Sequence, residues 1–443
     1  MSDRYLIRGA ALLGGPPTDL LIEGSKIAAI GSQATAAGQA QVIDAAGLVA
    51  LPGLVDLHTH LREPGREDAE TVASGTRAAA LGGFTCVHAM ANTAPVADTA
   101  GVVEQVARLG EDAGWAQVRP VGAVTVGLAG QQLAELGAMA DSAAAVRVFS
   151  DDGHCVDDPV LMRRALEYVK AFDGVIAQHA QEPHLTAGAV MNEGVVSAEL
   201  GLTGWPAVAE ESIVARDVLL AEHVGSRIHI CHLSTAGSVD IVRWAKSRGV
   251  QVTAEVTPHH LMLTDDLVRG YDPQFKVNPP LRTDEDVAAV RHGLADGTID
   301  IVATDHAPHP SEDKDCEFAA AAFGMTGLET AVAVVAESMV AAADVDFDWS
   351  DVARTMSTVP AKIGRVTNQG QGLVVGAAAH VTLIDPQAPW QVVPDQLGTA
   401  SGNTPFAGRT LPARVVATFY NGTATVLEGT AQPVQSQHYR KEA

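Results

Sequence analysis

The sequence contains no hydrophobic run of the roughly 18 residues that a membrane-spanning helix requires. Its opening residues, MSDRYLIRGA, also lack the basic and then apolar segments that mark a secretory signal peptide. Both absences predict a cytoplasmic protein with no membrane partner.

Cysteine is scarce, with four residues in a chain of 443, and none of them belongs to a CxxC pair. Wide spacing of this kind argues against a disulfide framework and favours a reducing compartment.

Positive charge is also in short supply. The chain has 29 Lys and Arg residues against 53 Asp and Glu residues, a formal net charge of −24. An acidic surface repels phosphate backbones, so we expect no nucleic-acid partner. A GxGxxG motif after an early strand is missing as well, which leaves a doubly wound dinucleotide-binding sheet without support.

What the sequence does contain is a regular alternation of short apolar strands with longer amphipathic segments. Helix-like segments such as DPVLMRRALEYVKAF and AGSVDIVRWAKSRG fall between most of the strands. Strand and helix alternating eight times predict an α/β fold of the TIM type, a (β/α)8 barrel. The eight candidate strands are GLVDLHTH, FTCVHAM, VRPVGAVTV, AAVRVFS, GVIAQH, RIHICH, VQVTAEV and IDIVATD.

Both ends of the chain have a different sequence pattern, that of short strands joined by tight turns. Short β-like pieces such as DLLIEGSKIAAIG near the N-terminus and PARVVATFYNGTATVLEG near the C-terminus are punctuated by turn residues, Asn-Gly among them. We predict a smaller β-sandwich built from residues 1–50 and 366–443, which flank a barrel of residues 51–365.

Potential metal ligands lie at the ends of the predicted barrel strands, where (β/α)8 barrels carry their reactive residues. The first strand ends in DLHTH, and residues two apart on a strand face the same way, so His58 and His60 can converge on one metal ion. The fifth strand ends at His179, the sixth at His232 and the eighth at Asp305. Any one of these alone would more often be an ordinary hydrogen-bonded residue, but four strand ends with the same ligand types predict a metal centre.

The number of these ligands points to two ions. Four histidines and one aspartate exceed the three protein ligands of a usual catalytic zinc site, and two ions about 3.5–4 Å apart need a group that binds both. A carboxylate has two oxygens and a negative charge, and the fourth strand ends in FSDD. The bridge is therefore expected at Asp151 or Asp152, in a sequence that is also good turn chemistry.

Six motifs together carry a resemblance to a known family: VDLHTHLREPG, SDDG, CHLSTAG, TAEVTPHHL, NPPLR and ATDHAPH. In combination they resemble the type I dihydroorotases of bacteria, a branch of the amidohydrolase superfamily. The resemblance extends from about Pro52 to NTPF at Asn403–Phe406. It implies a zinc-dependent, reversible cyclisation of N-carbamoyl-L-aspartate to L-dihydroorotate in pyrimidine synthesis.

The resemblance also implies roles for individual residues. Family spacing favours Asp152 as the bridge, and strand parity agrees. Many relatives use a carboxylated lysine there, but this chain has no lysine near the fourth strand end. Asp305 would also act as general base and then as general acid. One zinc ion would be held from the first and eighth strands and the other from the fifth and sixth, that is, by His58, His60 and Asp305, and by His179 and His232.

Substrate specificity is expected to depend on Arg62. A guanidinium matches a carboxylate with two parallel hydrogen bonds, and dihydroorotate carries a free carboxylate that the substrate of allantoinases lacks. The segment APHPSEDKDCEFAAAAFG is long and polar, and it fits either a mobile lid or a plain surface loop. The resemblance implies further substrate contacts from the side chains of His60, Asn92, Asn278 and His309 and the backbone of Phe323 and Gly324.

Three other functions fit less well. Another cyclic amidase, of the allantoinase or hydantoinase type, leaves Arg62 unexplained. A non-catalytic, dihydroorotase-like partner of aspartate transcarbamoylase would be expected to have lost metal ligands, and a mononuclear deaminase gives the fourth-strand carboxylate no role. The sequence leaves open whether the chain forms a homodimer or associates with aspartate transcarbamoylase, and which divalent metal it holds.

Overall fold

The computed structural model describes residues 4–35 and 38–434. All eight predicted barrel strands are present in these ranges, in the predicted order along the chain. They are shorter than the apolar runs that predicted them, because an apolar run reports burial whereas a strand also needs a hydrogen-bonded neighbour. The strands are Leu54–Thr59, Phe84–Ala89, Gln117–Pro120, Val148–Phe149, Val175–Gln178, Ile228–Ile230, Val252–Val256 and Ile301–Val302.

Parallel pairing joins these strands into a ring. The first three pair in order, and the other five form a second sheet. Single parallel bridges cross the two gaps, one between Gly122 and Phe149 and one between Thr59 and His306. The backbone N–H of His60 also donates to the carbonyl oxygen of His306 at 2.8 Å. The carboxyl ends of the strands therefore open onto one mouth of the barrel.

The inside of the ring is filled with apolar side chains. One buried cluster includes Leu57, Val121, Val148, Ala177 and Ile301, which come from different barrel strands or from the residue just after one. Because the strands are also covered by helices outside, the first two are buried along their whole length.

Helices follow the barrel strands, and their starts are fixed by capping. The side chain of Asp158 accepts hydrogen bonds from the backbone of Val160 and Leu161, and Pro159 occupies the first helical turn. The helices that follow the eight strands include Val72–Leu81, Ala100–Ala113, Leu136–Asp141, Pro159–Val169, Val208–Val224, Ala236–Ser247, Asp284–Ala295 and Ala331–Val335. The other described α-helices are Ser32–Thr35, Val195–Leu200, Ser311–Lys314, Trp349–Ala353 and Val359–Ile363.

Strands from both ends of the chain form one continuous sheet beside the barrel. The predicted Asn-Gly turn is present, since Asn421 and Gly422 have φ values of 51° and 74° between the last two long strands. The sheet folds over, because Lys26, in the strand at one end of the sheet, pairs with Ala378, which lies just before the central strand Val381–Asp385. Its described strands are Arg4–Leu12, Pro17–Glu23, Lys26–Ile30, Gln41–Asp44, Val49–Pro52, Val381–Asp385, Arg414–Tyr420, Thr423–Leu427 and Thr430–Ala431.

The folded-over sheet encloses a core of its own. Residues of its N-terminal strands, such as Ile22, pack against residues of its C-terminal strands, such as Leu383 and Phe419. The predicted chain limits of this second region, at residues 50 and 366, stay a prediction. Among the described helices, none has both the length and the apolar character needed to cross a membrane.

Candidate active site

Six side chains from five strand ends meet at the mouth of the barrel. His58 lies on the first strand and His60 directly after it, and their rings lie side by side, with centroids 5.4 Å apart. Two of the others, His232 and Asp305, have positive φ values of 32° and 47°, a backbone conformation that side chains rarely adopt. All six are nearly inaccessible to solvent, namely His58, His60, Asp152, His179, His232 and Asp305.

Asp152 lies at the centre of this cluster. Its Oδ2 atom is 3.2 Å from His58 Nε2 and 3.3 Å from His60 Nε2. Its Oδ1 atom is 3.2 Å from both His179 Nδ1 and His232 Nε2. One carboxylate oxygen thus faces the histidines of the first strand, and the other faces those of the fifth and sixth. Asp152 is the member shared by two groups of side chains with metal-binding spacing.

Asp305 completes the group on the first-strand side. Its Oδ1 atom is 3.1 Å from His60 Nε2 and 3.4 Å from His58 Nε2. Burial would raise the pKa of Asp305, but the charges of His58 and His60 and the hydrogen bond from His60 outweigh it and lower that pKa to about 2. Asp305 is therefore an anion at neutral pH.

The outer ring nitrogens of three histidines are already occupied by acceptors. His58 Nδ1–H donates to Glu255 Oε1 at 2.6 Å, and His60 Nδ1–H donates to Asn92 Oδ1 at 2.9 Å. Likewise, His179 Nε2–H donates to a side-chain oxygen, Gln181 Oε1, at 2.9 Å. These bonds place a hydrogen on the outer nitrogen of each ring, so the inner nitrogens that face Asp152 and Asp305 are the ones available to hold a proton or a metal ion.

A neutral inner nitrogen would set its lone pair against a carboxylate, which is unfavourable unless a proton or another cation lies between them. The buried Nε2 atom of His58 makes no hydrogen bond in the structure. Burial lowers the pKa values of His58 and His60, yet Asp152 and Asp305 more than reverse this and raise both. The cluster therefore demands positive charge, and its nitrogen and oxygen donors suit a divalent metal. The cluster thus has the donor atoms and the spacing to hold a metal ion.

The neighbouring carboxylate, Asp151, faces away from the cluster. Its Oδ1 atom accepts the backbone N–H groups of Val124 and Thr125 at 2.7 and 2.9 Å, and its Oδ2 atom accepts the hydroxyl of Thr125. With its oxygens used in this way, Asp151 holds the loop after the third strand.

A cavity of about 240 Å3 lies directly over the cluster. The Arg62 side chain reaches it from the first strand, and its Nε–H donates to the carbonyl oxygen of Pro308 at 3.1 Å. Burial and the charge of Arg62 lower the pKa of His309 to about 4, so His309 is neutral at pH 7, and its Nε2–H donates to the carbonyl oxygen of Phe323 at 2.8 Å. The cavity is lined by His60, Arg62, Asn92, Asp152, Gly153, His179, Asn278, Asp305, Ala307, His309, Phe323 and Gly324.

Comparison with known proteins agrees with this geometry. Residues 47–238 match the sequence profile of a family described as Dihydro-orotase-like. The dihydroorotase of Streptomyces coelicolor is 68% identical over 426 residues, which cover 96% of this chain and 99% of that protein. The dihydroorotase of Mycobacterium tuberculosis is 55% identical over 96% of this chain and 98% of that protein. The chain belongs to the dihydroorotase family.

Solved structures show the same fold at much lower sequence identity. The L-hydantoinase (dihydropyrimidinase) of Arthrobacter aurescens superposes with a TM-score of 0.86 at 24% identity, covering 98% of both chains. The dihydropyrimidinase of Brevibacillus agri gives a TM-score of 0.81 at 21% identity, covering 97% of this chain and 96% of that one. The amidohydrolase-type barrel with an attached β-sheet region is thus shared with these enzymes.

The structure brings together the residues that the family resemblance singled out. The predicted ligands form the cluster, and the predicted substrate contacts Arg62, Asn92, Asn278 and His309 line the cavity together with Phe323 and Gly324. Two backbone groups expected to face substrate are engaged elsewhere, since the Gly324 N–H donates to the Lys276 carbonyl oxygen and the Phe323 carbonyl oxygen accepts from His309.

Sequence reasoning missed the residues that support the ligands. Glu255 and Gln181 were assigned no role, although Glu255 lies in the family motif TAEVTPHHL. His259 of the same motif is buried, its Nε2 atom has no hydrogen-bond partner, and burial lowers its pKa to about 4. The presence of Glu255 and His259 in the motif was the one sign in the sequence that these residues have a role. The partners of Glu255 could not be predicted, because they lie on strands far apart in the sequence.

Proposed function

We propose that this chain, a member of the dihydroorotase family, catalyses the reversible cyclisation of N-carbamoyl-L-aspartate to L-dihydroorotate in pyrimidine synthesis and holds two zinc ions. The observation that supports two ions best is the position of Asp152, which presents one oxygen to each of two histidine pairs. One ion would be held by His58, His60 and Asp305, the other by His179 and His232, with Asp152 between them.

When bound, the ions would lower the pKa of a water molecule and polarise the ring amide carbonyl. The protein itself supplies the proton transfers. Asp305 is anionic and lies at the cavity wall, so it takes the proton of the attacking water and returns it to the leaving ring nitrogen. In the synthetic direction the same carboxylate removes the proton from the attacking nitrogen.

Arg62 would bind the free carboxylate of the substrate. Its Nε–H is held by the carbonyl oxygen of Pro308, which orients the guanidinium in the cavity before substrate arrives. The Nε2 atom of His309 lies 3.4 Å from Arg62 Nη2. Because His309 is neutral, it does not repel the guanidinium. Asn92 and Asn278 line the same cavity and would be polar contacts for the ring amide groups.

The test of the substrate is a direct comparison. We expect zinc-loaded protein to hydrolyse dihydroorotate and to leave hydantoin and allantoin essentially unchanged, because only dihydroorotate of these offers a carboxylate to Arg62. Preference for either of the other substrates would contradict the proposal. Elemental analysis of the active protein should give two equivalents of zinc, and removal of zinc by a chelator should abolish turnover until the metal is restored.

Arg62→Ala should raise the KM for dihydroorotate by roughly 10- to 150-fold, since a hydrogen bond to a charged group is worth about 1.5–3 kcal/mol. The zinc content should not change. A matched control is Arg108→Ala, because Arg108 lies on an exposed helix face beside Glu104. Loss of zinc in Arg62→Ala, or an unchanged KM, would show that Arg62 has another role.

A further inference from the structure

One buried carboxylate outside the ligand set contacts both halves of the metal site. Glu255 lies on the seventh barrel strand and is 1% exposed. Its Oε1 atom accepts from His58 Nδ1–H at 2.6 Å and from the backbone N–H of His232 at 3.2 Å. Of the ligands proposed above, His58 belongs to one ion and His232 to the other.

The contact with His58 determines which ring nitrogen is free. With Nδ1–H donated to Glu255, His58 Nε2 is the nitrogen that faces Asp152 Oδ2 and Asp305 Oδ1, at 3.2 and 3.4 Å. A negative partner also makes the imidazole a stronger electron donor. Without an acceptor at Nδ1, the ring would be free to take the other tautomer, in which the inner nitrogen carries the hydrogen.

The contact with His232 acts on the backbone instead. His232 has a positive φ of 32°, which is unfavourable for a residue with a β-carbon. Its N–H is held by the Glu255 side chain, and the next N–H, that of Leu233, donates to the Glu255 carbonyl oxygen at 2.8 Å. Glu255 thereby fixes the bend that turns the His232 ring into the cluster.

The second oxygen of Glu255 is occupied on the side away from the cavity. Oε2 accepts from His229 Nε2–H at 3.0 Å, and His229 Nδ1 is 2.9 Å from the Thr253 hydroxyl. Glu255 is absent from the residues that line the cavity, so it touches no substrate. Cys231 lies close enough to group with Glu255 and His58, but burial raises the pKa of its thiol and the Glu255 oxygens are already bonded.

We infer that Glu255 is a positioning residue that joins the two halves of the metal site, so that both ions depend on this single carboxylate. The inference rests on the proposed two-ion site but not on the identity of the substrate. A carboxylate that merely stabilised the fold would affect unfolding without affecting metal affinity in the folded protein.

The test is zinc affinity measured by competition with a chelator, in the absence of substrate. Glu255→Gln keeps the size of the side chain and removes its charge, and we expect both zinc ions to bind about 10- to 100-fold more weakly. Glu329→Gln is the matched control, since Glu329 is a buried carboxylate whose partners are the backbone N–H groups of Gly398 and Thr399. It should bind zinc as the wild type does.

A second variant and a kinetic measurement separate positioning from folding. Glu255→Asp keeps the charge but withdraws the oxygens from His58, so it should fold and still bind zinc more weakly than the wild type. At saturating zinc, Glu255→Gln should have a lower kcat with the KM for dihydroorotate unchanged. Wild-type zinc affinity in either folded variant, or weakening of one ion alone, would overturn the inference. Failure of the wild type to turn over dihydroorotate, with both zinc ions bound, would overturn the proposed substrate only.

Discussion

At the scale of single residues, the adjacent carboxylates Asp151 and Asp152 have different environments. Asp152 faces ring nitrogens of four histidines, whereas Asp151 accepts hydrogen bonds from Val124 and Thr125. Both residues follow the strand Val148–Phe149, and Asp152 lies in the turn after it. The backbone there directs the Asp152 side chain into the barrel mouth and the Asp151 side chain towards the loop after the third strand.

The two aspartates should therefore respond differently to the same change. Asp152→Asn should lose zinc and nearly all activity. Asp151→Asn should keep its zinc but be destabilised by about 1–3 kcal/mol, because an amide cannot accept at both positions where donors are buried. Elemental analysis and urea unfolding measure the two effects. Zinc loss in Asp151→Asn with retention in Asp152→Asn would reverse the assignment.

At the scale of an element, the segment from Ser311 to Gly324 is held closely by two buried lysines. Lys314, at the end of a short helix, is 2% exposed, and its ammonium donates to the carbonyl oxygens of Pro273 and Lys276, both at 3.0 Å. The Lys276 ammonium donates to the carbonyl oxygen of Ala319 at 2.8 Å. It also lies 4.4 Å from the centre of the Phe323 ring. The two lysines thus connect this segment to Phe323 in the cavity wall.

The titration of Lys314 should be visible in the stability of the protein. Burial and the nearby charge of Lys276 lower the pKa of Lys314 to about 7, well below its value in the unfolded chain. Between pH 7 and about 10 the unfolded chain then binds more protons than the folded one, so this group makes the free energy of unfolding rise with pH. Lys314→Met should remove that rise in urea titrations at a series of pH values. An unchanged slope would mean that Lys314 stays charged in the fold.

Much of this element-scale organisation was predictable from the sequence, because strand order and strand ends follow from the pattern of apolar residues. The ligands His58, His60 and His179 could be placed at the mouth for that reason. Burial of Lys314 could not be foreseen, since a lysine in a polar segment is almost always exposed. The role of Glu255 was equally hidden, because it depends on neighbouring strands whose pairing the sequence does not state.

At the scale of the whole molecule, Glu329 links the barrel to the C-terminal part of the chain. It lies just before the helix Ala331–Val335, and its Oε1 atom accepts the backbone N–H groups of Gly398 at 2.8 Å and Thr399 at 3.2 Å. Nearby, Ala400 donates to another buried carboxylate, that of Glu70, at 3.0 Å. The connection between the sheet strands Val381–Asp385 and Arg414–Tyr420 is therefore bound to the barrel through acidic side chains.

This junction should make stability depend on pH in the opposite sense to Lys314. Burial raises the pKa of Glu329 to about 7, so between about pH 4.5 and 7 the folded protein holds a proton that the unfolded chain has lost. The free energy of unfolding contributed by Glu329 is complete below pH 4.5 and falls as the pH rises through 7. In Glu329→Gln the free energy of unfolding should not show that decline. The difference in the free energy of unfolding between variant and wild type should therefore grow over this pH interval. A constant difference in calorimetric unfolding would refute the assignment.

The bridge between Thr59 and His306, which completes the ring, also has a consequence for how the protein is made. His60 and Asp305 are neighbours in the fold but 245 positions apart in the chain. During synthesis the first strand must wait until the eighth has left the ribosome before its histidines meet their carboxylate partner. A growing chain that stops short of Asp305 has no complete ligand set on the first-strand side. Acquisition of metal is therefore expected only after Asp305 has left the ribosome, and it would report that the barrel has closed.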